Sequence, residues 1–152
     1  MGDDETEPAL TADAAELLQR KGTIEILTEI GSEGPQRHTD LREELLLSSS
    51  TIQQRLKSGK TCDLWEQKLE NRGGVSAKVY VLTDLGDVIY EHATAEELDE
   101  IYRIRRGLIK TLENAERRVI INSSPNGAEW IRDIEIEDHD TDSAQKFINQ
   151  FS

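Results

Sequence analysis

Read as apolar and polar positions, the chain divides into four short helices, one alternating stretch, a fifth helix and one long helix. Leu17 and Leu18 mark a short helix that Thr11 or Asp13 can cap and Gly22 breaks. Thr23 is placed to cap a second helix with Ile24, Ile26, Leu27 and Ile30 inward, and Gly31, Gly34 and Pro35 to end it. Pro35 to His38 reads as short and extended, and Thr39 as the cap of a third helix that turns Leu41, Leu45 and Leu46 inward. Ser48-Ser49-Ser50-Thr51 before Ile52 is another helix start, since each hydroxyl can accept from an unpaired N–H. In this fourth helix, over 49–60, Ile52 and Leu56 are four apart and share one face. Thr51, Gln53, Gln54, Lys57 and Lys60 fall largely outside that narrow stripe.

From Leu64 the period changes to two. Trp65 and Leu69 alternate with Glu66, Lys68 and Glu70, and Val79 and Val81 alternate with Tyr80 and Leu82. Asn71-Arg72-Gly73-Gly74 between them is a turn, because Gly and Asn take positive φ at low cost. The stretch 64–83 is therefore a hairpin, and Thr83-Asp84 caps a helix through Leu85, Val88 and Ile89. From Ala95 to about Ile120 apolar residues recur at three and four: Leu98, Ile101, Tyr102, Leu108, Ile109, Leu112, Ala115 and Val119. Acids at its start (Glu96, Glu97, Asp99, Glu100) and Arg117 and Arg118 near its end suit the helix dipole. At ~1.5 Å per residue this helix spans roughly 38 Å, too long for the preceding unit to cover. A partner chain would hide its stripe, so Leu98, Ile101, Tyr102, Leu108, Leu112 and Val119 are candidate homodimer contacts. Asn122 to Gly127 breaks the pattern; Trp130 to Ile136 reads as a strand, followed by an acid run and a short helix around Phe147 to Phe151.

The expected class is mainly α with a small β-hairpin. An acidic, disordered lead-in covers 1–9, a helix and hairpin unit 10–94, the long helix 95–121 and an acidic extension 122–152. With 152 residues the chain suits one domain of ordinary size. It has no apolar run near the roughly 20 residues of a membrane span and no basic, apolar leader. The single cysteine, Cys62, rules out an internal disulfide and a cysteine-rich zinc site. A cytoplasmic protein is expected.

The formal net charge of -13 at first argues against a nucleic-acid partner. The charge is unevenly spread, however. Over 48–83, Arg55, Lys57, Lys60, Lys68, Arg72 and Lys78 face only Asp63, Glu66 and Glu70, and local charge governs a docking surface more than the total. High acid with little lysine also suits a protein from a salt-loving microbe; an ordinary acidic protein is the alternative.

Other candidate chemistry is thin. Gly59-Lys60-Thr61 matches the tail of a phosphate-binding loop, but Gln54 stands where the first glycine belongs and a helix, not a strand, precedes it. Cys62 beside Asp63 reads as inert, and His38, His92 and His139 lack metal-ligand spacing. Asp138 to Asp142 alternates acids like a calcium loop but lacks the glycine and the closing glutamate, so a solvated acid run fits it better. No nucleophile, base and acid set is visible, and neither an enzyme, a cofactor nor a metal is expected. A small-molecule effector stays open.

The second to fourth helices, the hairpin and the helix after it stand in the order of a winged helix-turn-helix, in which the last helix before the hairpin enters the major groove and the hairpin lies beside it. Residues 12 to 90 resemble the HxlR-type winged-helix regulators of the MarR-like group. The likeness rests on Ile24 to Ile30, Gly34-Pro35 with Arg37, Asp40-Leu41-Arg42, Ser48 to Leu56, Lys78-Val79-Tyr80 and Leu82 to Gly86. Gly22, His38, Gly59 and Asp63 depart from the pattern, and the family lacks so long a C-terminal tail. The resemblance implies a sequence-specific transcriptional regulator on double-stranded DNA. Helix 49–60 would read bases and hairpin 64–83 would be the wing. Candidate contacts are Ser49, Ser50, Thr51, Gln53, Gln54, Lys57 and Lys60 on the helix, and Lys68, Arg72, Gly73, Gly74 and Lys78 on the hairpin. The alternatives are a solvated helix face, and an interaction module that docks on protein and does not bind DNA.

Overall fold

A computed structural model of the chain describes residues 8–131. The chain opens with α1 (Ala12–Leu18), capped by Thr11, whose hydroxyl accepts from the Ala14 N–H at 3.1 Å. Gly22, at φ 89°, turns the chain into α2 (Thr23–Glu33). The cap is thus Gly22, not Thr23, whose hydroxyl is buried without a hydrogen-bond partner among the described residues. Gly31 does not end α2 either. It lies inside the helix because the Tyr90 ring rests on it where a β-carbon would stand. Gly34, at φ 84°, is where the helix stops.

The extended segment that follows makes an antiparallel bridge between Gln36 and Tyr80, with N–H···O bonds of 3.1 and 2.8 Å. In α3 (His38–Glu44) the cap position is Arg37 rather than Thr39, since the Asp40 carboxylate reaches back to the Arg37 N–H at 2.9 Å. Leu41, Leu45 and Leu47 are buried and Leu46 only partly, so Leu47 takes the inward place expected of Leu46. Ser48 caps α4 (Ser49–Thr61) by accepting from the Thr51 N–H at 3.1 Å. Residues of α1 to α4, with Leu64, Trp65 and Leu85, form one core in which Ile26, Leu27, Leu41 and Ile52 are fully enclosed.

Strands β1 (Trp65–Arg72) and β2 (Val75–Leu82) pair antiparallel, from Trp65 opposite Leu82 to Arg72 opposite Val75. Gly73 and Gly74, at φ 62° and 85°, form the two-residue turn whose geometry needs positive φ twice. Trp65 and Val79 anchor the base of the hairpin, whereas Leu69, on the same strand face as Trp65, is 74% exposed. The outer half of the hairpin leaves the body.

Thr83 caps α5 (Asp84–Ala95), and α6 runs from Leu98 to Ser123. The long helix expected from Ala95 therefore starts three residues later. Ala95 closes α5, and Glu97, left-handed at φ 60°, turns the corner before Leu98. A single 3-10 turn (Gly127–Trp130) closes the described chain, so Trp130 does not open a strand. The rest of that expected strand, the acid run, the Asp138 to Asp142 loop with His139, the helix around Phe147 to Phe151 and residues 1–7 lie outside the described residues.

Helix α6 docks on α2 through Ile109 and a buried cation. Arg106, 5% exposed, bonds Glu25 at 2.5 Å and lies 3.6 Å from Glu29 and 3.7 Å from Glu44. Burial raises the pKa of Glu25 and Glu29 above the usual carboxylate range, against the pull of Arg106. The architecture is thus mainly helical, with one small antiparallel hairpin and a long helix after it. Among the described residues no helix is long and apolar enough to cross a membrane.

Candidate nucleic-acid interface

The exposed side of α4 is built by what its other side must bury. Ile52, Leu56 and Gly59 face the core, which leaves Ser50, Gln53, Gln54, Lys57 and Lys60 exposed and Ser49 and Thr51 half-buried. Gly59 faces inward because the Trp65 indole occupies the space of its missing side chain, while the indole N–H donates to the Leu56 carbonyl at 2.9 Å. Gly59-Lys60-Thr61 therefore closes a helix, whereas a phosphate loop opens one.

A groove of about 550 Å³ separates the start of α3 and α4 from β2. Its walls include Arg37, His38, Thr39 and Gln53 on one side and Ser76, Lys78 and Tyr80 on the other. The Gln36–Tyr80 bridge fixes this width, and His38 Nε2 lies 3.2 Å from the Ser49 carbonyl, joining the starts of the two helices. Of the expected contact residues, Gln53 and Lys78 thus face one groove. Lys60 sits at the far end of α4, where its ammonium donates to the Gln67 side chain of β1 at 3.4 Å. Lys57 lines a separate hollow with Asp13, Glu16, Arg20 and Cys62. The Cys62 thiol pKa is pushed up by burial and by Asp13, the opposite of an activated thiolate.

The hairpin cations are less available than the sequence suggests. Lys68 pairs with Glu66 at 3.2 Å. Arg72 bonds Glu70 at 2.6 Å, lies 3.4 Å from Asp40 and donates to the Pro35 carbonyl at 3.2 Å. Asp40 also holds Arg37, at 2.7 Å, and the Arg37 hydrogen bond leads the causes that lower its pKa to about 2. Gly73 and Gly74 shape the turn. Lys78 is the exposed hairpin cation that makes no ion pair among the described residues.

Arg37, His38 and Tyr80 were not singled out as site residues in the sequence. The signal was the extended Pro35–His38 segment, which brings them to the groove once it pairs with β2. The chain matches no family model, and no curated protein or solved structure matches it.

Proposed function

We propose that this chain is a winged helix-turn-helix regulator that binds double-stranded DNA, with α4 in the major groove and the β1–β2 hairpin as the wing. The observation that carries the reading is the exposed face of α4. Gln53, Gln54, Lys57 and Lys60 stand exposed on a helix without a single acid, and Gln53 faces a groove whose other wall carries Lys78. Glutamine amides can pair with adenine edges, and ammonium groups with phosphates or guanine. The pairing of the Gln36 segment with β2 and the short connection over 45–48 between α3 and α4 also support it. Gln53 and Lys78 on opposite walls of the groove suit a nucleic-acid strand lying between them, with the Lys78 ammonium toward its phosphates.

Internal pairing of Lys68 and Arg72 favours a second reading, a winged-helix module that docks on protein. Selection from a random duplex pool, followed by binding across a salt series, separates the two. The DNA reading expects an enriched motif and affinity that falls with salt; the second expects neither.

A further inference from the structure

Helix α6 carries a second apolar face that nothing among the described residues covers. Arg106 and Ile109 point to α2, while Ile101, Ile104, Leu108 and Val119 are 49%, 55%, 65% and 64% exposed. With Leu112 and Ala115, which are half-buried, they follow one another by three and four residues and share one side of the helix. Ile104 completes the stripe and was not among the contacts expected from the sequence.

The stripe is nearly a palindrome about Lys110, whose own side chain points away from it. Ile101 and Val119 lie equally far from that centre, as do Leu108 and Leu112, and Ile104 nearly mirrors Ala115. The flanking charges mirror with opposite sign. Glu100 and Arg118 border one side of the stripe, and Arg105 and Glu116 the other. A surface with this symmetry is complementary to itself after a two-fold rotation, which is what an isologous contact requires.

We infer that α6 pairs with α6 of a second copy of this chain, antiparallel, about a two-fold axis near Lys110. Ile101 then faces the partner's Val119, and Leu108 the partner's Leu112. Glu100 meets the partner's Arg118, and Arg105 the partner's Glu116. Antiparallel packing uses both flanks at once and opposes the two helix dipoles. A parallel pair would serve Glu100 and Arg105 alone and leave Glu116 and Arg118 unmatched. The inference stands apart from DNA binding, because every observation behind it lies on α6.

The test uses the full chain with Cys62→Ser, which removes its one cysteine, and adds Ile101→Cys or Val119→Cys. A short bifunctional thiol reagent is applied to each variant alone and to a mixture in which one carries a larger tag. Ile101 and Val119 are roughly 27 Å apart along a helix, so the two arrangements give different products. The antiparallel pair gives a cross-linked dimer of mixed size in the mixture and none from either variant alone. Cross-linking of either variant to itself, or of none, overturns the inference, as does a wild-type monomer by light scattering. Glu100→Arg should weaken dimerisation at least tenfold, at the lowest salt where the chain keeps its helical circular dichroism, and Arg118→Glu should restore it in the double variant. Failure of that rescue overturns the register.

Discussion

The indole of Trp65 lies against the backbone of Gly59, one turn beyond the Leu56 carbonyl that its N–H bonds at 2.9 Å. This contact ties the end of α4 to the base of the hairpin, and so fixes the angle between the two parts of the proposed DNA-binding face. Alanine at 59 gains helix propensity but overlaps the ring. Overpacking outweighs propensity here, and Gly59→Ala should cost about 1–3 kcal/mol. In a Trp65→Leu background the same change should be neutral or favourable. Urea titrations of the four proteins give the coupling directly, and purely additive effects would dissolve the claimed contact.

Arg106 should be the least replaceable residue of α6. Arg106→Leu leaves Glu25 and Glu29 buried without their cation, and should cost about 3–5 kcal/mol. Adding Glu25→Leu should return much of that loss, since an apolar pair of similar volume removes the stranded charge. A denaturation midpoint that the second change lowers further would show that the pair is not the source.

Stability should respond to pH from two directions. Glu29 is raised above its usual 4.5 by burial, with Glu44 and Glu33 adding to the shift. The folded chain therefore holds this proton more firmly than the unfolded one, and stability falls as pH rises from about 4.5 through the folded value. Asp40 is lowered to about 2 from 3.8, so its contribution is present above 3.8 and lost as pH falls toward 2. Glu29→Gln should flatten the decline toward neutral pH, and Asp40→Asn the acid limb. Thermal midpoints from pH 2 to 8 that keep their shape in both variants would contradict these assignments.

Much of this fold was legible because capping and periodicity are local. Ser48 and Thr83 cap the helices they were expected to cap, Thr11 rather than Asp13 caps the first, and the hairpin turns at its two glycines. The misses are tertiary. Gly31 looks like a helix stop unless one knows that Tyr90 rests on it. Glu97 carries no sign of its left-handed backbone, so the boundary between α5 and α6 was read before Ala95 instead of at Glu97. At the site, Lys68 and Arg72 read as available cations, but Glu66, Glu70 and Asp40 hold them. The groove needed the Gln36–Tyr80 bridge, which no local pattern shows.

The acid excess, read as an adaptation to concentrated salt, has its own check. The formal charge of -13 should make the chain lose helical circular dichroism in dilute buffer through self-repulsion and regain it as salt rises. Equal thermal stability at low and molar salt would remove that reading and leave an ordinary acidic protein.

The central claim is that α4 reads DNA beside the hairpin, and fluorescence anisotropy on a selected duplex tests it most directly. Gln53→Ala with Gln54→Ala should bring the affinities for the selected site and a scrambled duplex closer, at ~1–3 kcal/mol of discrimination per lost base contact. Lys78→Ala should weaken both duplexes alike and reduce the salt slope by about one. Wild-type protein that distinguishes no duplex from another, or variants that bind as the wild type does, would contradict the account.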